Sequence, residues 1–333
     1  MFKLRATLPR TRIEETRDKY DVVIVGGGPA GLSAALYTAR YGLKPIVITK
    51  TIGGNAAIAP LVDDYLGIPE IPGQDLVDKF VKHVEKYNVP IIIDEVVDLF
   101  KDPENQQLWC VKTKSRSKPI CGYAVILAMG SEKRKLGVPG EDRLLGRGVS
   151  YCAVCDGAFF KDKVVAVVGG GNSAFISALY LSNLASKVYL IHRRESFRAF
   201  ETYIEAARKN PKIEILTNTI VKEILGEEKV EGLKLVNTQT NEEKILIVDA
   251  VFIEIGTNPP TEFFKKVGIE VDEEGKAKVN IDMSTNLPGV YAAGDAAGGP
   301  YKYKFEQIVT AVAEGAIAAD AVAKYIATLK KTS

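Results

Sequence analysis

Two cysteines separated by two residues, Cys152 and Cys155, are the side chains of this sequence best suited to redox chemistry. Such a pair can cycle between a dithiol and a disulfide, or it can supply half of a zinc site. A zinc site needs further ligands, yet the sequence has no second Cys-x-x-Cys pair and only two histidines, His83 and His192. We therefore predict a redox-active dithiol, with zinc binding and inert thiols as the alternatives. Asp156 follows at once, and its carboxyl group suits either proton transfer to a leaving thiolate or the start of a helix.

Two glycine-rich turns accompany the cysteines. Each turn follows an apolar stretch typical of a buried strand and precedes a helical pattern, which is the setting in which such a turn binds a dinucleotide pyrophosphate. In the first turn Gly26 permits a tight bend, Gly28 lets phosphate approach the backbone, and Gly31 lets helix and strand pack closely. The second turn has the same spacing and supplies Gly169, Gly171 and, in the third position, Ala174. Two turns imply two bound dinucleotides.

The strands that follow the two turns end differently. No carboxylate ends the strand after the first turn, where Thr49 and Lys50 stand, so ribose recognition is expected from these residues or from the backbone. The strand after the second turn runs into a basic stretch that contains Arg193, Arg194 and Arg198. Guanidinium groups pair with a 2′-phosphate, so we predict NADPH in preference to NADH, with a solvated basic loop as the alternative.

The two turns belong to repeated strand–helix–strand units. The sequence therefore predicts an α/β protein with two Rossmann-like dinucleotide-binding domains of the three-layer ββα type, the second inserted into the first. Hinges are expected where glycine or proline adjoins a strand, at 129–135 and 255–259, and a final alanine-rich helix is predicted for 305–327. The expected divisions are an N-terminal extension, 1–20; an outer domain, 21–131 and 256–333; and an inserted domain, 132–255.

The composition argues against several classes of function. A net charge of +2 gives no large basic surface for nucleic acid. No apolar run approaches the roughly 20 residues that a membrane-spanning helix needs, and the first 20 residues lack the apolar segment of a secretory signal. We therefore expect a cytoplasmic protein that binds neither nucleic acid nor membrane, in which the four cysteines do not form a disulfide framework.

Cys110 and Cys121 lie at equal distances from a turn at 115–116, within two predicted strands, 107–113 and 119–128. The two side chains could therefore face each other across a hairpin. For a reducing compartment we expect two buried thiols, with a cross-strand disulfide as the alternative.

These features, together with several further segments, resemble the low-molecular-weight thioredoxin reductases, which are FAD- and NADPH-dependent members of the pyridine nucleotide-disulfide oxidoreductase family. The resemblance covers nearly all of the chain beyond residue 20, in order and in spacing. The matching segments are 26–31, 53–55, 128–130, 135–140, 152–157, 169–174, 192–199, 255–256 and 289–295.

The resemblance implies which residues bind the two cofactors. FAD would lie in the outer domain, against Gly26, Gly28, Pro29, Ala30, Gly31, Thr49, Lys50, Gly54, Asn55, Asp64, Val97, Ala128, Gly130, Gly294, Asp295, Gln307 and Ile308. NADPH would lie in the inserted domain, against Gly169, Gly171, Asn172, Ser173, Ala174, His192, Arg193, Arg194, Arg198, Ile255 and Gly256.

The resemblance also implies a course for the electrons. They would pass from NADPH through FAD to the Cys152–Cys155 disulfide, and on to thioredoxin or a thioredoxin/glutaredoxin-like protein. Cys155 would face the flavin, Cys152 would attack the partner's disulfide, and Asp156 would act as general acid. The inserted domain would rotate between two orientations, and the protein would be a homodimer.

Four positions depart from the family pattern. Phe175-Ile176-Ser177 stands where the family usually has Val-Glu-Glu, Glu306 replaces an arginine, Met129 replaces a threonine and Asp64 replaces an asparagine. We expect Phe175 and Ser177 to weaken nicotinamide use, and Glu306 to alter the equilibrium between domain orientations.

Other activities fit part of the same pattern. An NAD(P)H oxidase or a reductase of a glutaredoxin-like protein would use the same flavin and dithiol, and a flavin-bound redox sensor would not turn over. A ferredoxin–NADP reductase is disfavoured because it would not need Cys152 and Cys155.

Overall fold

The computed structural model describes residues 19–59, 61–299 and 304–332, and they form two compact units. The first unit contains residues 19–59, 65–131 and the chain from 259 onward, and the second contains residues 61–64 and Glu132–Asn258. Residues 1–18 of the expected N-terminal extension lie outside the described residues, whereas Lys19 and Tyr20 begin the first strand. The expected inserted segment, 132–255, stops three residues short of the second unit and omits 61–64.

The first unit is built on a seven-stranded sheet. Its strands are β1 (Lys19–Gly27), β2 (Pro45–Ile52), β3 (Ile91–Ile93), β4 (Val96–Lys101), β5 (Trp109–Thr113), β6 (Ile120–Leu127) and, late in the chain, β17 (Val290–Ala292). Its helices are α1 (Pro29–Arg40), α2 (Gly73–Glu85), α6 (Thr261–Lys266) and α7 (Ile308–Thr332). The order is β3-β2-β1-β6-β5-β4, with β17 also paired to β6. Strands β3, β2, β1, β6 and β17 are parallel, whereas β5 pairs antiparallel with both β6 and β4.

Both faces of β1 are covered, which explains why its sequence is a continuous apolar run and not an alternating one. Val22 and Ile24 pack among α1, α2 and α7, while Val23 and Val25 pack against the other layer, which includes Trp109 of β5. Of these residues, Val22, Val23 and Ile24 have no exposed surface. The layered arrangement fixes the carboxyl end of β1, where the first glycine turn begins.

The second unit has three layers. A parallel sheet in the order β11-β10-β9-β15-β8 carries helices on one face and an antiparallel meander, β12-β13-β14, on the other. The strands are β7 (Glu132–Lys133), β8 (Val149–Ser150), β9 (Val164–Val168), β10 (Lys187–Ile191), β11 (Ile213–Leu216), β12 (Thr219–Leu225), β13 (Gly232–Asn237), β14 (Glu243–Leu246), β15 (Ala250–Ile253) and β16 (Thr257–Asn258). The helices are α3 (Ala153–Asp156), α4 (Asn172–Ser182) and α5 (Glu201–Lys209). The α/β class and the Rossmann-like organisation predicted from the sequence are confirmed.

The long segment of the second unit, Glu132–Asn258, begins and ends in the same short two-stranded ladder. Strand β7 pairs antiparallel with β16, joining Lys133 to Thr257 and Glu132 to Asn258. Arg134 Nε adds a 2.7 Å hydrogen bond to the Asn258 side chain. Among the described residues, no helix combines the length and the apolar character needed to cross a membrane.

Cys110 and Cys121 form a disulfide, so the expectation of two free thiols is wrong. Strands β5 and β6 place the two residues directly opposite each other, with their Cα atoms 4.0 Å apart. Both are buried, as expected, in a cluster that includes Leu108. The pairing depends on the register of the hairpin, which the symmetric spacing allowed but did not impose.

Candidate active site

The redox centre is the short helix α3 and the residue before it. Cys152 and Cys155 are bonded to each other, and Cys152 is the N-cap of the helix in an extended conformation. The Cys155 amide donates to Cys152 Sγ at 3.2 Å, and the Asp156 amide donates to the Cys152 carbonyl at 3.2 Å. An amide aimed at Cys152 Sγ stabilises a thiolate there when the disulfide is reduced. The geometry therefore favours Cys152 as a nucleophile.

Asp156 ends α3, and burial is the main influence on its carboxyl group. Burial raises the pKa of Asp156, a hydrogen bond from Ser150 opposes this, and the charge of Asp64 raises the pKa further. The net shift is upward. A carboxyl group that keeps its proton closer to neutral pH is suited to give that proton to a leaving thiolate.

Two residues of this centre were not identified from the sequence. The Ser150 hydroxyl accepts from the Cys152 amide at 3.0 Å and lies 3.2 Å from the Cys152 carbonyl. A signal was available, because a serine two residues before a backbone amide commonly forms such a turn. The second is Glu141, which is buried and accepts a 2.6 Å hydrogen bond from the Tyr151 hydroxyl. Burial and this hydrogen bond raise the pKa of Tyr151, so its hydroxyl stays protonated and holds the chain next to Cys152.

The first glycine turn has the close approaches expected of a phosphate-binding turn. A Cβ on Gly26 would lie 2.0 Å from the Ala128 carbonyl oxygen, and one on Gly31 would lie 1.9 Å from the Gly26 oxygen. A Cβ on Gly28, in contrast, would meet only the Gly53 oxygen, at 3.9 Å, and Gly28 precedes α1 without a side-chain cap. The first amides of α1 therefore meet an open space that a side chain does not fill, which fits a pyrophosphate.

The parallel strand ends bring most of the predicted FAD residues together. Gly54 lies beside Gly28, and a Cβ on Gly294 would lie 2.9 Å from the Ala30 side chain. Asn55 donates to the Ser131 carbonyl at 2.9 Å, next to Gly130. Asp295 is in a 3-10 turn after β17, and Gln307 and Ile308 stand at the start of α7.

Three of the predicted FAD residues have other contacts, and a fourth, Asp64, belongs to the other unit. The Thr49 hydroxyl accepts from the Gly27 amide at 2.8 Å and donates to the Thr51 carbonyl at 2.6 Å, so it secures β2 to the turn. Lys50 is paired with Glu95 at 2.9 Å, and the Val97 carbonyl accepts from Lys266 at 2.9 Å.

The second glycine turn is held against the basic stretch. A Cβ on Gly170 would lie 2.1 Å from the His192 ring, and the Arg198 amide donates to the Gly170 carbonyl at 2.9 Å. A Cβ on Gly171 would meet nothing within 4 Å among the described atoms outside its chain neighbours and its own helix, and Gly171 precedes α4 without a side-chain cap. The predicted NADPH residues Ala174, Ser173, Ile255 and Gly256 follow the ends of β9 and β15, at the carboxyl edge where the strand order reverses.

The three arginines predicted to bind a phosphate lie on one exposed loop. Arg193, Arg194 and Arg198 are all exposed on the loop after β10. The Asn172 side chain accepts from the Phe200 amide at 2.8 Å, so both ends of this loop are attached to the glycine turn or to the start of α4. An open helix N-terminus beside three exposed guanidinium groups fits a dinucleotide with a 2′-phosphate.

The departures at 175 and 177 have structural explanations. Phe175 is fully buried, and its ring meets Phe197 of the arginine loop edge-on with centroids 5.0 Å apart. The Ser177 hydroxyl donates to Glu254 Oε1 at 2.8 Å. Glu254, a residue missed from the sequence, follows β15, and its carbonyl oxygen is 2.3 Å from the position of a Cβ on Gly169. The glutamate that the family usually has at 177 is thus absent, but Ser177 binds the carboxylate of Glu254, which follows β15.

The departure at 306 is also accompanied by a partner. Glu306 forms an ion pair and a hydrogen bond with Lys276, whose side chain is 4% exposed. Burial lowers the pKa of Lys276, but Glu306 and Glu274 outweigh this and keep the pKa above its ordinary value. Nearby, Lys304 contacts both oxygens of Glu314, at 2.5 and 2.7 Å. The negative charge of Glu306 is therefore offset by a buried lysine, which also pairs with Glu274.

Comparisons with known proteins show which family the chain resembles. Residues 20–315 match the family model described as pyridine nucleotide-disulphide oxidoreductase. The chain is 41% identical to a thioredoxin reductase of Listeria monocytogenes, over 94% of this chain and 96% of the relative, and 42% identical to one of Bacillus subtilis, over 94% and 96%. The solved thioredoxin reductase of Streptococcus pyogenes is similar with a TM-score of 0.86 and 38% identity, covering 94% of this chain and all of the other.

Proposed function

The chain belongs to the pyridine nucleotide-disulphide oxidoreductase family and, within it, to the thioredoxin reductases, and from this premise we propose that it reduces the disulfide of a thioredoxin or a thioredoxin-like protein. The observation that carries the proposal is the Cys152–Cys155 disulfide beside Asp156, a buried carboxyl group with a raised pKa. A nucleophilic sulfur, a second sulfur to displace the product and an acid for the leaving group are the parts that dithiol exchange needs.

The enzyme uses FAD and NADPH, and both glycine turns fit a dinucleotide. FAD, when bound, would supply the chemistry that accepts a hydride from NADPH and delivers two electrons to a disulfide. We assign FAD to the first turn, where Gly28 leaves the α1 amides open. We assign NADPH to the second, where Arg193, Arg194 and Arg198 would pair with the 2′-phosphate.

The residues of α3 then carry the exchange. The Cys152 thiolate attacks one sulfur of the partner's disulfide, which forms a mixed disulfide and releases one partner thiolate. The Cys155 thiolate next attacks Cys152 Sγ, which closes the Cys152–Cys155 disulfide and releases the second. Two electrons and two protons leave the enzyme dithiol, and Asp156 transfers protons to the leaving thiolates.

The other assignments also remain part of the proposal. We propose a cytoplasmic homodimer, in keeping with the family resemblance. A flavin-bound redox sensor that does not turn over would be favoured by unexplained departures from the family pattern at 175–177 and 306. Phe175, Ser177 and Glu306 each have a defined packing or pairing partner, so they supply no separate argument for it.

The test is an anaerobic titration of the FAD-loaded protein with NADPH and, separately, with NADH, followed by the visible flavin absorbance. We expect NADPH at low concentration to bleach the flavin and thioredoxin disulfide to restore the colour. Cys152→Ser should keep the bleaching but lose the reduction of thioredoxin, whereas Arg143→Ala, a surface arginine of the same unit, should keep both. A flavin that neither nucleotide reduces, or full turnover by Cys152→Ser, would overturn the proposal.

A further inference from the structure

A buried ion pair holds the turn that follows β17. This turn, Gly294–Ala296, carries Asp295, one of the residues predicted to contact FAD. Glu314 of α7 is buried, and its Oε2 accepts from the Gly294 amide at 2.8 Å. Lys304 Nζ contacts both carboxylate oxygens of Glu314, at 2.5 and 2.7 Å, and donates to the Gly294 carbonyl at 3.2 Å. Both backbone polar groups of Gly294 are therefore held by side chains from outside the turn.

The same turn lies against the beginning of α1. Gly294 has a φ of 69°, and a Cβ on it would lie 2.9 Å from the Ala30 side chain. A Cβ on Gly315, the neighbour of Glu314 in α7, would lie 2.1 Å from the Ala30 carbonyl oxygen. Two chain segments thus close on Ala30, which follows the open start of α1 at Gly28. The Glu314 carboxylate joins these two segments at the place where they meet the helix.

The pair also sets the charge beside α1. A buried carboxylate without a counter-ion is costly, and it would repel the negative charges of a pyrophosphate. Lys304 neutralises Glu314 at contact distance, and each of the two side chains is only 10% exposed, so solvent ions screen the interaction little. Glu314 can therefore hold the Gly294 amide without opposing an anion at the first glycine turn.

We propose that Lys304 and Glu314 are positioning residues for FAD, which hold the Gly294–Ala296 turn against α1 and cancel each other's charge beside the pyrophosphate site. This inference rests on the proposed function and deepens it, because it identifies side chains that prepare the first unit for its dinucleotide. The two roles differ. Glu314 sets the position of the turn through the Gly294 amide, whereas Lys304 sets the charge.

The experiment measures the Kd for FAD of the full chain after its flavin has been removed, from the quenching of FAD fluorescence on binding. We expect Lys304→Met to raise this Kd by at least about tenfold, the order for losing a hydrogen bond to a charged group, because an unpaired carboxylate stays beside the site. Lys304→Met/Glu314→Gln should return the Kd to within about threefold of wild type, because glutamine is uncharged and its oxygen can still accept from Gly294.

A second double variant isolates the hydrogen bond to Gly294. Lys304→Met/Glu314→Leu is also uncharged and of similar size, but leucine cannot accept a hydrogen bond. We expect it to bind FAD about fivefold more weakly than the glutamine variant, the order for one neutral hydrogen bond. Both double variants lack the buried charge, so this comparison decides the matter even if Lys304→Met alone does not fold.

Two controls separate this role from a merely structural one. Ser33→Ala removes a 2.7 Å hydrogen bond from α1 to the Val312 carbonyl of α7. It should lower the Tm of the flavin-free protein and leave the Kd for FAD unchanged, because it does not touch the Gly294–Ala296 turn. Lys324→Met removes an exposed ion pair within α7 and should change neither quantity measurably.

Three results would overturn the inference. They are a Kd for Lys304→Met within about twofold of wild type, equal Kd values for the two double variants, and equal weakening of FAD binding by Ser33→Ala. The proposed function fails in a different way, since FAD binding is measured without thioredoxin. A wild-type enzyme that binds FAD but reduces no thioredoxin would overturn the proposed function alone, whereas a wild-type protein that binds no FAD would overturn both.

Discussion

The Ser177 hydroxyl donates a 2.8 Å hydrogen bond to the carboxylate of Glu254, joining the second turn of α4 to the end of β15. Ser177 is buried, so there is room there for one carboxylate and its donor but not for two carboxylates. We expect Ser177→Glu, which restores the glutamate usual in the family, to destabilise the protein by about 2 kcal/mol through like-charge repulsion. Thermal unfolding of the loaded enzyme measures this as a fall in Tm.

Two further variants test the explanation for that fall. The exchange Ser177→Glu with Glu254→Ser should recover most of the lost Tm, because it recreates the hydrogen bond in the opposite direction. Ile176→Glu is the matched control, since the Ile176 side chain is 46% exposed and a charge there stays in solvent. An unchanged Tm in Ser177→Glu would contradict the role of this contact.

Coenzyme preference should depend on the exposed arginines. We expect replacement of Arg193, Arg194 and Arg198 by alanine, one at a time, to raise KM for NADPH by about tenfold each, with little effect on NADH, because only NADPH carries the 2′-phosphate. Steady-state kinetics with both nucleotides gives the ratio. Arg143, which donates to the carbonyl of Gly226, is the control arginine. A triple variant that still prefers NADPH would show that the phosphate is recognised elsewhere.

The pH dependence should respond to Asp64. The reaction with an alkyl disulfide needs protonated Asp156, so its rate falls as the pH rises through the pKa of Asp156. Burial is the main cause of the raised pKa and the charge of Asp64 adds to it. Asp64→Asn should therefore lower the pKa and move this fall in rate to lower pH. The pH–rate profile is the measurement, with Asp63→Asn as the neighbouring control, and a profile that does not move would rule out this electrostatic contribution.

The disulfide of the first unit should stabilise the fold without taking part in turnover. Cys110 and Cys121 are separated by 11 residues, and closing a loop of that length is worth about 3 kcal/mol. We expect the double variant Cys110→Ala/Cys121→Ala to unfold at a lower temperature and to keep its kcat. Mass spectrometry after alkylation of the native, oxidised protein should find no modified cysteine. Alkylation of both residues would show that the bond does not form.

The sequence revealed the positions at which the backbone requires a glycine. Gly31 closely approaches the Gly26 carbonyl within one strand–turn–helix unit, and Gly26 itself has a positive φ of 115°, so their spacing alone was informative. The contacts missed from the sequence join distant segments, as Ser177 does with Glu254. Ser150 was missed at short range because its burial comes from the pairing of β8 with β15, which no local pattern announces.

The ends of the last helix were also predicted only in part from the sequence. A helix was expected at 305–327, whereas α7 spans Ile308–Thr332. Its start is delayed because the Thr310 side chain accepts from the Gln307 amide and lies within 2.6 Å of the Phe305 carbonyl, which replaces the first helical turn. Its far end continues because no glycine or proline interrupts the sequence there.

Because Lys276 and Glu306 form an ion pair, we expect the two positions to change together in evolution. A lineage that replaced Glu306 by arginine would place a second cation beside the buried Lys276, and a lineage that lost Lys276 would lose the ion pair that offsets the charge of Glu306. Either substitution alone is expected to lower the stability of the protein, whereas the two substitutions together are not. Relatives with an arginine at position 306 are therefore expected to lack a lysine at position 276. The two kinds of sequence should differ at both positions.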